Sequence, residues 1–460
     1  MRALATLYFL LVFQFLQAQP EDIFVSNFSS GYSELIDLAI DEAGFLYLAE
    51  KGGKVYRVDE SGIRPGAAWL DLSEEVTNWN DHGLLAICLD KNFLSNGYVY
   101  TLYAVDPYWE AFHDQPDYNP DSTIKVVPTW GRLTRFQADP SADFQIDQNA
   151  SRQVIMGETL ADGIPLHHKF HGLGKLVMAD DGSLLLSIGD GAENNTDIGD
   201  NETGTLAREA IEMGILPEEH HIGSYRSQYL ESVQGKILRI DSNTGDGLSS
   251  NPWFDPSAPK AARSRVWAMG LRNPYRFNLL PNTGSHNPED GQPGTLVIGD
   301  VGNGGWEELN ICTEGGQNFG WPIYEGQSIN WSFTQKPTPA NPSAPNPLFG
   351  QGDCRQEFFD FRQTIRELRD FDPGPPTNPC DQQQFVDYFG MSSITAPTLA
   401  WSNQRWNPPA RATTLWFDSG GNPRSRDLAD PLSPVDGENF DGYSALGGFF
   451  LDLPNWPEEY

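Results

Sequence analysis

Apolar residues fall in short runs broken by glycine, asparagine, aspartate and proline, a punctuation that predicts strands and tight turns in place of long helices. The clearest case runs from His171 to Gly191. Leu176-Val177-Met178 is one run, Asp181-Gly182 a two-residue turn, and Leu184 to Ile188 a second run. Two apolar runs joined by Asp-Gly are the strongest short-range hairpin signal, because the turn they favour twists in the same sense as the strands it joins. The hairpin opens at His171 and closes at Asp190. Antiparallel strands return the chain to its start, so the carboxylate is predicted to meet and orient the imidazole.

The same scheme occurs earlier. Asp41 to Glu50, then Lys51-Gly52-Gly53-Lys54 and Val55 to Asp59, reads as acidic turn, apolar strand, Gly-Lys and a second strand. Asp181-Gly182-Ser183-Leu184-Leu185-Leu186, followed after an insertion by Gly235 to Asp241, repeats it. Between these units, Gly83 to Leu89, Gly97 to Tyr103 and Trp130 to Phe136 read as further strands. Strand units that recur at long intervals predict an all-β fold of the β-propeller type, with short antiparallel sheets around an axis. The polar stretch Ala192 to Leu230 reads as a long loop with a short helix at Thr205 to Met213. About 326–434 is Pro-, Asn- and Gln-rich with little alternation, and reads as a long insertion with few strands.

Composition narrows the classes. A formal charge of −33 over 460 residues excludes polyanionic partners, so neither nucleic acid nor an anionic membrane surface is expected. Residues 1–18 read as a signal peptide: Arg2 gives the basic start, Leu4 to Phe13 the apolar core, and Leu16-Gln17-Ala18 the cleavage site. No other run is apolar enough for a membrane span. Residues 19–460 are then one exported domain, periplasmic or extracellular. Cys88 and Cys312 sit in apolar strands, whereas Cys354 and Cys380 flank a Pro-rich excursion and are placed to pair in an oxidising compartment.

Seven pieces in one order give the chain a resemblance to the glucose/sorbosone dehydrogenase family of soluble quinoprotein sugar dehydrogenases. They are Glu50 to Lys54, Gly83-Leu84-Leu85 with Gly97 to Tyr100, His171 to Asp190, Gly235 to Ile240, Leu271-Arg272-Asn273-Pro274, Gly299-Asp300-Val301-Gly302 with Glu307 to Asn310, and Asn318 to Pro322. The resemblance covers about Leu35 to Trp321 and thins to Ser444 to Phe449. It implies a six-bladed propeller that binds pyrroloquinoline quinone (PQQ) and Ca²⁺ and oxidises the C1 hydroxyl of an aldose. His171 matches the family's base and Asp190 its partner. Arg272 and Asn273 match quinone contacts, with Arg272 also stabilising charge on the quinone oxygen, and Gly302 and Asn303 fall where backbone carbonyls hold the calcium. The electron acceptor, a quinone or a cytochrome, is not named by the residues.

Asp81, His82 and Phe170 depart from the sugar-oxidising pattern and are the expected substrate-side residues. His167 and His168, which no Gly-x-Gly follows, read as loop residues. The runner-up function is an extracellular propeller that binds sugar or protein without catalysis; a Ca²⁺-dependent lactonase would need a carboxylate and asparagine cluster that the sequence does not assemble. The resemblance stops at Tyr460, and the strand clusters give four blades and the start of a fifth. A ring truncated at the C-terminus, inactive as it stands, is therefore expected, because an open ring exposes strand edges.

Overall fold

The computed structural model describes residues 27–192, 206–326, 328–330, 333, 338–361, 363–366, 378–382, 392–403, 411–417, 423–433 and 437–447. The signal peptide, the expected helix start at Thr205, and residues 448–460 lie outside these ranges.

Four antiparallel sheets follow one another along the chain. The first comprises Leu35–Ile40, Leu46–Glu50, Lys54–Val58 and Leu70–Asp71. The second comprises Leu84–Leu89, Tyr98–Ala104, Thr129–Asp139 and Ile164–Leu166. Leu173–Met178, Ser183–Ile188, Lys236–Asp241 and Val266–Met269 make the third. Arg276–Leu279, Leu296–Asp300 and Trp306–Cys312 begin the fourth. The two units that repeat in sequence occupy the second and third strands of the first and third sheets, so the repeat is one of structure.

Packing between sheets explains why the middle strands are apolar on both faces. All of Ser183–Ile188 is buried. Leu184, Leu186 and Ile188 point into a core shared with Leu102, Leu133 and Met156 of the second-sheet region, while Leu185 joins Phe277, Leu296 and Ile298 of the fourth. Alternate side chains of one strand thus feed two interfaces, which a continuous apolar run permits and a half-polar one does not.

The leading strands of the four sheets pack in succession. Arg276, on the fourth, pins them: Nη2 donates to Ile36 O at 2.9 Å and Leu85 O at 3.3 Å, and Nη1 donates to Gly174 O at 3.3 Å. Lys175 also pairs with Asp37 across the same junction at 2.5 Å. The leading strand of the first sheet differs from the others, leaving Leu35, Leu38 and Ile40 exposed at 49, 48 and 60 %.

The stretch expected as a strand-poor insertion supplies much of the fourth sheet. Leu399–Ser402, Ala412–Phe417 and Pro423–Asp427 extend it beyond Trp306–Cys312. Their pairing partner lies almost a hundred residues upstream, so the edge they complete is invisible to a local pattern. Cys354 and Cys380 form a disulfide with Cα atoms 5.1 Å apart, and Cys88 and Cys312 are free and buried, as expected. The helix expected near Thr205 runs Ala207–Glu212, but Tyr225 to Leu230, read as loop, is buried. Among the described residues no helix is long and apolar enough to cross a membrane.

Candidate active site

The hairpin forms with Met178 paired to Leu184 and Leu173 to Ile188, so its open end brings His171 and Asp190 together. His171 adopts a left-handed backbone conformation, φ 54°. Its carbonyl accepts from Gly191 N at 3.0 Å, and a Cβ on Gly189 would meet that carbonyl oxygen at 2.4 Å. Glycine at 189 is thus what lets the two chain segments close on each other.

Asp190 is fully buried and every edge of its carboxylate is used. Oδ1 accepts from His171 Nδ1 at 2.9 Å and from Ala192 N at 3.0 Å, and Oδ2 accepts from Trp321 Nε1 at 2.8 Å. Burial alone would raise its pKa, but the His171 contact and the nearby Arg272 charge outweigh this and hold it at about 2. Burial, helped by Arg272, pushes His171 below the ordinary 6.5 against the pull of Asp190 and Asp81. The pair is therefore neutral imidazole with ionised carboxylate near neutral pH. With Nδ1 as donor to Asp190, Nε2 carries the lone pair.

Arg272 is positioned through its backbone. Its N–H and that of Asn273 donate to the two oxygens of Asp300 at 2.9 and 2.7 Å, and its carbonyl accepts from Asp190 N at 2.7 Å. The guanidinium donates to Val301 O at 2.8 Å and lies 5.4 Å from the Trp321 ring. Burial raises Asp300 to about 7 despite those two amides, and burial beside Asp300 raises Glu308 well above the usual carboxyl range.

Gly302 and Asn303 lie in the adjoining loop. Gly302 N donates to Glu307 Oε2 at 3.1 Å; Asn303, Gly304, Gly305 and Trp306 all donate to Glu325 Oε1, at 2.8, 3.2, 3.0 and 3.2 Å. Among the described residues no donor reaches the carbonyls of Gly302, Asn303 or Gly304. A Cβ at Gly302 would fall 1.7 Å from Trp306 O, so the turn admits only glycine there. Among the described residues no group of three or more His, Cys, Asp or Glu side chains is placed to hold a metal. Free carbonyl oxygens are the donors left, and they suit a hard cation such as calcium.

The substrate-side expectations divide. Asp81 does approach His171: its Oδ2 accepts from His171 N at 3.3 Å, and burial raises its pKa against the nearby His171, Lys51 and Arg272 charges. Phe170 packs edge-on to His168 and lies 6.3 Å from the His171 ring. His82 is committed elsewhere, its Nε2 paired with His168 O at 2.9 Å, and burial lowers it to about 4. His167 and His168 are not surface loop residues: both are buried, and burial takes His168 to about 4 as well. Sequence reasoning gave no role to Trp321, Asp300 or Glu325. The Asn318 to Pro322 motif marks Trp321 as noteworthy, but nothing local to Glu325 points to the loop it holds.

An all-β protein of repeated sheets carrying a buried imidazole–carboxylate pair is the class these observations define. The chain belongs to the glucose/sorbosone dehydrogenase family, whose model matches residues 36–350. It is similar to the HIPL1 protein of Arabidopsis thaliana, 22 % identical over 316 residues that make up 63 % of this chain and 39 % of that protein. It is also similar to the aldose sugar dehydrogenase YliI of Escherichia coli (strain K12), 30 % identical over 97 residues, 21 % of this chain and 22 % of the relative. Among solved structures it resembles the PQQ-bound aldose sugar dehydrogenase of Streptomyces coelicolor, at 16 % identity and a TM-score of 0.45, over 88 % of this chain and 84 % of that one. The chain spans 39 % of the length of the HIPL1 relative.

Proposed function

We propose that this protein is an exported oxidoreductase of the propeller type that oxidises the C1 hydroxyl of an aldose to the lactone, using PQQ and Ca²⁺. The observation that carries this reading is the His171–Asp190 contact of 2.9 Å, with Arg272 hydrogen-bonded through its backbone to the same aspartate. Family membership supplies the reaction class, and the site supplies residues suited to it.

The chemistry asks for a base toward the hydroxyl proton. His171 Nε2 takes that proton while the C1 hydrogen departs as hydride, and Asp190 stabilises the imidazolium that results. Asp190 also fixes the tautomer, since its Oδ1 accepts from Nδ1. Trp321 keeps the carboxylate from rotating by holding its other oxygen. Bound PQQ supplies the two-electron hydride sink. Arg272 and the Asn273 segment are the residues that would hold it, and the fixed guanidinium would stabilise negative charge there. The carbonyls of Gly302 and Asn303 would hold the calcium. Asp81, whose Oδ2 lies beside His171, would accept from a sugar hydroxyl.

The test is turnover. Protein with a complete ring, saturated with PQQ and Ca²⁺, should reduce an artificial dye acceptor when aldoses are added, and lose that activity when calcium is chelated. The competing reading, a propeller that binds sugar or protein without chemistry, predicts sugar binding with no dye reduction by any aldose. PQQ-loaded protein that bound sugars and stayed inert would establish that alternative.

A further inference from the structure

We infer that Glu325 is the positioning residue that builds the cation-binding face of the 302–306 loop, by drawing four consecutive amide N–H groups onto one oxygen so that the neighbouring carbonyls are left for a metal. The inference rests on the proposed reading of Gly302 and Asn303 as calcium ligands and adds a residue from outside that loop.

The N–H and C=O of a trans peptide lie in one plane and point to its opposite edges, so a segment that turns its donors one way turns its acceptors the other. Here the donors of Asn303, Gly304, Gly305 and Trp306 converge on Glu325 Oε1 at 2.8 to 3.2 Å. Glu307 collects the donor that precedes them, Gly302 N, at 3.1 Å. Five successive amides are thus bonded to two carboxyl groups. On the acceptor side, Val301 O takes Arg272 Nη1 and Gly305 O takes Asn403 N. The three carbonyls between them meet no donor among the described residues. Those three include the two expected ligands.

The local glycines show that the loop is shaped around the carboxyl group. An ideal Cβ on Gly305 would lie 3.3 Å from Glu325 Oε2, and one on Gly302 3.1 Å from Oε1. Gly326, which follows Glu325, has φ 62° and donates to Glu308 Oε1 at 2.6 Å, so the backbone that carries Glu325 is anchored too. Nests of consecutive N–H groups ordinarily bind an external anion. In this protein the anion is a side chain, and the cation is received on the reverse face.

Two substitutions separate position from charge. Glu325→Asp keeps the charge but withdraws the oxygen by one methylene, whereas Glu325→Gln keeps the reach and an accepting oxygen but removes the charge. Calcium binding to the full chain is measured by calorimetry with CaCl₂ as the titrant, with no PQQ or sugar present. Outer-shell partners of metal ligands typically contribute about 10–100-fold in affinity. Glu325→Asp should fall in that range and Glu325→Gln should lose less. The reverse order, or wild-type affinity in both, would overturn the inference. Hydrogen exchange of wild-type amides 303–306 without calcium provides a measurement that no variant can spoil by misfolding. These amides should exchange far more slowly than the exposed loop around Asp117, and equal exchange would also overturn it. Wild-type protein that binds no calcium would overturn both this inference and the metal part of the proposed function, whereas wild-type binding with unaltered variants would overturn this inference alone.

Discussion

The two sides of the candidate site are built by opposite means. His171 and Asp190 are brought together by a hairpin whose strands, turn and register are encoded within a single short stretch. The loop from Gly302 to Trp306 has no such local plan. Its shape comes from Glu307 and Glu325, and Glu325 lies about twenty residues downstream on the short strand Tyr324–Glu325. A locally encoded geometry tolerates drift elsewhere in the chain, because adjacent strands enforce it. A loop held by a remote side chain depends on everything that fixes that side chain. The His171 side should therefore fail mainly through the few residues that touch the pair, Trp321 and Arg272 among them, while the loop side should also fail through whatever displaces Glu325.

The sharpest way to break the comparison is to remove the base. His171→Ala should reduce aldose-dependent dye reduction by about 10²–10⁴-fold, the usual worth of a general base, while PQQ binding followed by absorbance is preserved. Near-full activity would remove the central claim. Asp190→Asn should cost no more than His171→Ala, because the base survives with a poorer tautomer. An asparagine cannot accept from both His171 Nδ1 and Trp321 Nε1, so one contact becomes donor against donor. Trp321→Phe, combined with Asp190→Asn, should recover part of the loss. If the double variant is no better than the single one, the Trp321 contact does not constrain the pair.

Arg272→Lys should weaken PQQ retention and slow turnover about tenfold, since lysine keeps the charge but loses the planar fork that reaches Val301 O and Asn303 Oδ1. The pH profile gives a finer distinction. In the proposed role His171 works when neutral, so activity should hold above its pKa and fall as pH drops through it. Burial and Arg272 both lower that pKa, which places the acid limb below 6.5. Arg272→Met removes one of the two causes, and its residual activity should show the limb moved upward. An unshifted limb would mean that the guanidinium does not act on the imidazole. The smallest effect on turnover is expected from Cys354→Ser, far from the hairpin in sequence. It should lower stability by roughly 3 kcal/mol in denaturant unfolding, the chain-entropy worth of a loop of this size, with activity of the folded fraction unchanged.

What could be read from the sequence follows the same division. The hairpin, the repeated strand pair and the proximity of His171 to Asp190 were legible because each is a statement about neighbours. Leu399–Ser402 and the two strands after it were not, because proline, asparagine and glutamine dominate their surroundings and their pairing is long-range. His167 and His168 look like loop residues by polarity, yet they are enclosed by the second-sheet connection and the Gly191 turn. Glu325 gives no signal at all in isolation. One glutamate among Tyr324 and Gly326 acquires its role only when the chain has folded around it.

Arg276 carries a consequence for how the protein assembles over time. Its guanidinium reaches carbonyls 240, 191 and 102 residues earlier in the chain. During synthesis the first three sheets must therefore emerge and wait with those carbonyls unsatisfied by this residue, while each sheet forms from its own local hairpins. Contacts of such sequence separation are slow to form and favour late docking of prebuilt parts. Arg276 thus acts as a closing latch in the order of events, and a ribosome-stalled chain ending before it should yield sheets that form but do not lock together.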